Sequence, residues 1–368
     1  MSAVGSKRLD LAIVGAGPAG SAAAIRARQL GLSVLLLDQH DFPRAKACLG
    51  WVSPAGVVMA ESCGLTPASA GADEFCGLTL HSWDLRKQTA ISERALRGWI
   101  VDRSRFDLAL LKAARELGAE ALLRHAVDGL RLGEREVEID LAGERTVCAA
   151  LLIIADGTDS TAARLARITP ARALADLPRT FYGEFAAKGE PRLDVAIGQG
   201  RTGQLAVIAR SRKRVCIGLS SRADEESVSR QYAAFVAAAV EADLLPKCAA
   251  GPATCVVTPA GAALEMDAHV GKRCVLVGDA GGFVAAFSNE GIYPAMKSGW
   301  IAAETVARTL NAAYPQDELA TFDESWRTAL AEYLRRPNTD LSLLMPLVFG
   351  NEQMARRIAR AFLLGQAF

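Results

Sequence analysis

The chain lacks most of the features that mark a protein class at first sight. None of its eight cysteines (Cys48, Cys63, Cys76, Cys148, Cys216, Cys248, Cys255, Cys274) forms a C-x-x-C pair, and none clusters with the four histidines. No metal ligand set is therefore expected. No signal-peptide pattern is present either, and scattered thiols without one predict a reduced, cytoplasmic protein. No apolar run reaches the roughly 18 residues that a membrane span needs. A charge excess is missing as well: 42 basic against 41 acidic residues leave +1. Such a balance gives no field for gathering polyanions, so nucleic acid is excluded as a partner. Repeats and low-complexity segments are absent. What is plentiful is apolar content, 51% of 368 residues, enough for two or three domains or one large core with an inserted lobe.

The most informative stretch runs from Asp10 to Asp38. Leu11 to Val14 reads as a buried strand, and Gly15, Gly17 and Gly20, with Pro18 and Ala19 between the last two, form G-x-G-x-x-G at the turn into a helix ending at Gln29 or Leu30. Ser33 to Leu37 reads as a second strand ending on Asp38, with Gln39 after it. In such a β-α-β unit the first glycine makes the turn, the second admits a pyrophosphate, and the third lets helix pack on strand. The helix N-terminus offers free N–H groups and partial positive charge to the phosphates, and the acid about twenty residues on suits a ribose. These elements in this order predict a dinucleotide site.

Asp41 to Pro54 reads as a loop by its prolines and glycine. It follows the ribose end of the second strand, so Arg44 and Lys46 can meet phosphate or ribose and Cys48 can lie deeper; a solvated basic loop with one buried cysteine is the alternative. Phe75 to Ile91 suggests two strands of a separate sheet. From Trp99 to Leu117, Ser104 is the expected N-cap of a helix whose apolar face is Phe106, Leu108, Leu110, Leu111 and Ala114. Arg103, just ahead of it, can point at a ligand or be an ordinary surface arginine. Ala119 to Val127 reads as a third strand of the first sheet, and Glu136–Leu141 with Arg145–Ala149 as a hairpin. Leu151 to Ile154 is a further strand delivering Asp156-Gly157 to a helix capped by Asp159 or Ser160. That D-G can serve a sugar or phosphate, or be a plain turn.

The pattern changes between Thr169 and Pro259. Strands are expected at 181–187, 193–197, 204–209 and 215–220, then a helix from about 225 to 242. No catalytic motif stands there, and it reads as a lobe covering a substrate or as a structural insertion. Cys274 to Val277 then restores the first pattern and delivers Gly278-Asp279, and Glu290-Gly291-Ile292 opens a long helix. Asp279 can accept bonds from a polyol, and the Gly291 and Ile292 amides offer an anion hole for the N1 and C2 carbonyl edge of a reduced flavin. Together with the first fingerprint these groups suit FAD.

The three fingerprints in this order resemble the p-hydroxybenzoate hydroxylase group of flavoproteins, and within it the geranylgeranyl reductase family. F-P-R-x-K-x-C at Phe42 to Cys48, R-x-x-F-D at Arg103 to Asp107 and E-G-I at Glu290 to Ile292 add to the likeness, which covers nearly all of residues 8 to 310. The resemblance implies an α/β fold: a Rossmann-like FAD domain (1–74, 101–168, 260–310), an inserted lobe on a mostly antiparallel sheet (75–100, 169–259) and a helical C-terminal region (311–368). It also implies that Asp38 and Arg103 contact the adenosine and ribityl parts, Arg44 the pyrophosphate side and the Val127 backbone the adenine. Asp279 would hold the ribityl chain, Gly291 with Ile292 the pyrimidine edge, and Ala47 with Cys48 would lie beside the ring. Cys48 is the one catalytic candidate.

Two departures bear on the substrate. The aromatic Y-x-W-x-F-P of prenyl reductases is replaced by the strand Gly203 to Arg210, and the N-P of the flavin-edge loop by Ala285-Ala286. The W-x-W-x-I-P of the related flavin halogenases is absent too. The expected activity is reduction of a carbon-carbon double bond in a small hydrophobic substrate, with electrons from NAD(P)H or an electron-donor protein. The alternatives are a monooxygenase, then a halogenase, and from another class a non-catalytic FAD-binding protein. Finally, Asn351 to Phe368 predicts an amphipathic helix with Met354, Ile358, Ala361, Phe362 and Gly365 on one face and Arg356, Arg357 and Arg360 on another. It can pack on the lobe or lie peripherally on a membrane.

Overall fold

The computed structural model describes residues 9–143, 145–168, 173–198, 203–247, 249, 253–337 and 341–367. Its central sheet is ordered, by strand, Val270–Gly271, Cys274–Leu276, Arg145–Ile154, Leu9–Val14, Val34–Asp38, Glu120–Leu123. From Cys274–Leu276 to Glu120–Leu123 every neighbouring pair is parallel, so all those strands end at one edge. Parallel strands are buried on both faces, which is why they read as unbroken apolar runs. Leu11, Ile13 and Leu36 face the helices Pro18–Gln29, Arg103–Glu116 and Ile292–Thr309, while Ala12, Val14, Leu35 and Leu37 face the opposite layer with Val137, Ile139 and Met266.

Three local expectations need correction. The expected third strand, 119–127, ends at Leu123, because Arg124 takes a left-handed φ of 62° and turns the chain. The second arm of the expected hairpin does not stop at Ala149. It continues as one strand to Ile154, since Arg145–Ala149 pairs antiparallel with Val137–Leu141 and Leu152–Ile154 pairs in parallel with Cys274–Leu276. The helix assigned to a Ser104 cap begins at Arg103 and is capped by Asp102, whose carboxylate accepts the Ser104 amide at 2.8 Å and its hydroxyl at 2.7 Å.

A second sheet of seven strands runs Thr254–Val257, Arg179–Ala186, Arg214–Ser221, Leu205–Arg210, Arg192–Ile197, Leu78–His81, Gln88–Ile91. It is antiparallel except where Arg192–Ile197 meets Leu78–His81. Of the strands expected over 75–91, Phe75 belongs elsewhere, to a small sheet of Ala72–Cys76, Arg97–Val101 and Trp51–Val52. The separation falls at Gly77, where φ is 84° and a Cβ would meet the Ile91 carbonyl at 1.8 Å. Helix Glu225–Glu241 covers one face of the large sheet. Its other face, with Leu193, Val195, Leu205 and Val207, packs toward Trp51 and the last helix, Glu352–Leu364.

Of the two readings of the tail, that last contact is packing on the lobe. Ile358, Ala361 and Phe362 are buried, and the Phe362 ring stacks on Trp51 with centroids 5.4 Å apart. Arg356 and Arg360 pair with Glu93 at 3.5 and 2.7 Å. The apolar face of this helix is core. Among the described residues no helix is long and apolar enough to cross a membrane.

Candidate functional site

The parallel strand ends bring the three fingerprints into contact. Gly15 has φ 102°, and a Cβ there would lie 2.2 Å from the Ala155 carbonyl oxygen and 2.8 Å from the Asp156 nitrogen, so the first turn sits against the second. A Cβ on Gly20 would meet the Gly15 carbonyl at 1.8 Å, which is the helix-on-strand approach that the third glycine permits. Gly278 and Gly299 close on Ala19: Cβ atoms there would lie 2.8 Å from its Cβ and 2.1 Å from its carbonyl oxygen, respectively. The third fingerprint is thereby fixed beside the first helix.

The chemistry of this edge suits a dinucleotide. Helix Pro18–Gln29 has Gly17 as N-cap with no side chain capping it, so its first amides stay open to an anion. Arg44 leans over the same turn, its Nη2 3.3 Å from where a Gly17 Cβ would be, and its buried Nε has no partner. A buried unpartnered donor beside an open helix N-terminus fits a phosphate oxygen. Asp38, 8% exposed, accepts the Ala16 amide at 2.8 Å and the His40 amide at 2.9 Å, with a lone pair on each oxygen left for a ribose. Gln39 and Lys46 are exposed, and Val127 opens the strand Val127–Leu132 beyond His125, whose amide donates to the Asp38 carbonyl at 3.0 Å.

Arg103 is not directed outward. It grips Asp107 with two bonds of 2.8 Å, Asp107 is fully buried, and Arg44 Nη2 lies 3.6 Å from the same carboxylate. Burial works against the Arg103 charge, but Asp107 and then Cys48 beside it raise its pKa overall. The R-x-x-F-D motif thus links the helix Arg103–Glu116 to the loop that carries Arg44 and Cys48. Asp156 likewise turns inward: it accepts the Ser160 hydroxyl and, at 3.0 Å, the Ala162 amide, while Ser160 caps helix Thr161–Leu165. Burial raises its pKa against those hydrogen bonds. Its carboxylate fastens the turn, and Gly157, at φ 96°, follows it.

Where the central sheet faces the lobe, Cys48, Leu49 and Trp51 form one wall of a slot. Tyr182, Leu205, Val207 and Gly218 form the other, and Glu290, Gly291 and Ile292 close an end. A Cβ on Gly218 would lie 3.1 Å from the Tyr182 ring, so glycine makes room for that ring. Burial, then Cys48 and Asp279, raise the Tyr182 pKa, keeping it a neutral hydroxyl beside the bonded Thr180–Thr258 pair. Asp279 Oδ1 is 3.7 Å from the Gly291 Cβ position, so the carboxylate and the helix start are adjacent. Ala47 and Cys48 are half-buried, the Cys48 sulfur accepting the Gly50 amide at 3.3 Å. Sequence reading named Asp107 and Glu290 only as motif members, without a role, and did not single out Tyr182. The i,i+4 spacing of Arg103 and Asp107 carried a signal for one; nothing local distinguishes Tyr182 from any strand tyrosine.

The family model described as pyridine nucleotide-disulphide oxidoreductase matches residues 9–177. Digeranylgeranylglycerophospholipid reductase 2 of Methanopyrus kandleri is 26% identical over 82% of this chain and 77% of its own length. Menaquinone reductase of Mycolicibacterium smegmatis is 26% identical over 89% and 82%. A Methanosarcina barkeri protein from the nifH2 5' region, uncharacterized, is 32% identical over 42% of this chain and 86% of itself. The fold matches that of a geranylgeranyl bacteriochlorophyll reductase-like protein from Thermoplasma acidophilum, with TM-score 0.74, 17% identity, and 90% and 85% of the two chains covered. With the three glycine and acid fingerprints gathered at one sheet edge, the chain is an FAD-dependent oxidoreductase similar to reductases of the geranylgeranyl type.

Proposed function

We propose that this protein reduces a carbon-carbon double bond of an apolar, isoprenoid-type small molecule, with electrons from NAD(P)H or a partner protein. The observation that carries the reading is the slot: apolar walls from Leu49, Trp51, Leu205 and Val207, with Cys48, Tyr182 and Glu290 as its titratable side chains. Relatives spanning most of the chain are named as reductases of an isoprenoid phospholipid and of menaquinone. The segments 1–74, 101–168 and 260–310 would hold FAD, 75–100 and 169–259 the substrate, and 311–368 would brace both.

In this reading Gly15, Gly17, Pro18, Ala19 and Gly20 admit the pyrophosphate and Arg44 neutralises it. Asp38 and Gln39 meet the adenosine ribose, and the Val127 backbone the adenine. Asp279 holds the ribityl chain, with Gly291 and Ile292 at the pyrimidine edge. Arg103, Asp156 and Gly157 act by position: the arginine holds Asp107 and thereby Arg44, and the D-G turn supports Gly15. FAD when bound supplies the two-electron chemistry. The apolar walls orient the alkene and exclude water, and reduction adds two electrons and two protons in all. Cys48 or Tyr182 would hold the proton that completes it. No lysine lines the slot, which disfavours the halogenase reading.

The test is anaerobic single turnover of dithionite-reduced protein with menaquinone or an unsaturated archaeal-type phospholipid, followed by mass spectrometry. After reoxidation in air, which returns any quinol to quinone, a product heavier by two hydrogens per reduced carbon-carbon double bond supports the reading. Turnover only in air, with oxygen incorporated, establishes the monooxygenase instead.

A further inference from the structure

Glu290 is 1% exposed and lies at the end of the slot, directly before the Gly291 N-cap of helix Ile292–Thr309. Its Oε1 accepts the Tyr293 amide at 2.8 Å, so the carboxyl folds over the first helical turn. Its Oε2 accepts the Tyr333 hydroxyl at 3.2 Å from helix Pro315–Leu334, and the Tyr293 and Tyr333 rings meet edge-on at 4.8 Å. Ser53, the N-cap of helix Pro54–Ser62, and the Ile292 amide also bear on it. Across the slot stand Cys48 and Tyr182. The carboxyl therefore shares one helix N-terminus with whatever anionic edge the Gly291 and Ile292 amides receive.

We propose that Glu290 takes up a proton when the bound flavin is reduced, and so sets how strongly the flavin's reduction potential depends on pH. Two negative charges at one helix end disfavour each other, so electron arrival at the ring edge raises the affinity of Glu290 for a proton. Reduction of the ring itself takes two electrons and one proton, and Glu290, where ionised beforehand, takes a second proton from water. Burial raises this carboxyl to about 8 against the bonds from Tyr293, Tyr333, Ser53 and the Ile292 amide, so Glu290 already draws on the same amides that would receive the flavin edge. Below that pH Glu290 is neutral in both redox states and one proton accompanies two electrons. Above it, over a window of about one pH unit or more, two protons do. The proposal rests on the placement of the pyrimidine edge at Gly291 given above, but on no substrate.

The test is potentiometric titration of the FAD-loaded, full-length protein without substrate, from about pH 6 to about pH 10. The wild type should show a break near pH 8, beyond which the midpoint falls by about 30 mV more per pH unit, the two-electron equivalent of a tenfold change. Glu290→Gln should remove the break. Tyr333→Phe, which keeps the ring contact but removes a donor to the ionised form, should move the break to higher pH. A single slope shared by wild type and Glu290→Gln overturns the proposal. So does a break that Tyr333→Phe leaves in place. Since no isoprenoid enters the measurement, failure of the reductase reading and failure of the Glu290 coupling are observed separately.

Discussion

The sheet edge that carries the fingerprints and the slot beneath the lobe are built on different physical principles. At the edge, recognition rests on backbone: amides of a helix N-terminus, Gly15, Gly20, Gly278 and Gly299 pressed to 1.8–2.8 Å of neighbouring atoms at the would-be Cβ positions, and strand ends in register. In the slot it rests on side chains from the small sheet, the lobe sheet and the loop before Gly291, whose neighbours are far apart in the chain. Backbone recognition leaves a residue-type signature, since only glycine fits; side-chain enclosure leaves almost none.

That contrast can be broken most sharply at Gly15. Gly15→Val places a branched side chain where Ala155 and Asp156 already sit, at a φ that β-branched residues avoid. The purified variant should be colourless, with no FAD released on denaturation; a yellow protein with normal FAD content would refute the close approach. Next in size is the tail. Phe362→Ala removes the ring stacked on Trp51 and should lower stability by about 3–5 kcal/mol, read from chemical denaturation. Co-sedimentation of the wild type with anionic liposomes should be no greater than with neutral ones, because the apolar face is already buried.

Arg44→Ala should weaken FAD binding by about 10- to 100-fold, the worth of a charge-assisted bond, while far-ultraviolet circular dichroism stays unchanged. Unaltered affinity in a flavin-fluorescence titration would show that its buried Nε serves no phosphate. For the Glu290 carboxyl the linkage runs opposite to that of an ion-paired acid. Its folded pKa, about 8, lies above the ordinary 4.5, so the folded state holds the extra proton between those values and stability falls as pH rises through that window. The apoprotein should lose on the order of several kcal/mol from that group, and Glu290→Gln should flatten the dependence over the same range. The smallest effect is expected at Cys48. Cys48→Ala should leave FAD content intact and change turnover by only a few-fold, because Tyr182 stands on the opposite wall of the slot. Unchanged flavin spectrum, potential and rate together would remove Cys48 from the reaction.

The order strand, glycine turn, helix, strand and acid over Leu9–Asp38, and the later glycine-acid pairs at strand ends, were legible in the linear sequence. Each is a local arrangement that the backbone can adopt only with those residue types. Parallel strands buried on both faces likewise announce themselves as apolar runs, and the lobe strands as short segments between turn residues. What lay beyond local reading was the partner of each side chain. Arg103 and Asp156 look ligand-directed in one dimension, and the fold turns the first onto Asp107 and the second onto Ser160 and Ala162. The basic amphipathic tail is compatible with a membrane until Trp51, Phe362 and Glu93 are brought together from three distant segments. Glu290 was part of a motif in sequence; only its burial in the packed fold removes water and pushes its carboxyl to about 8, against the hydrogen bonds from Tyr333, Tyr293 and Ser53. Burial and charge are properties of neighbours in space, and for these residues the neighbours are set by long-range sheet and helix packing.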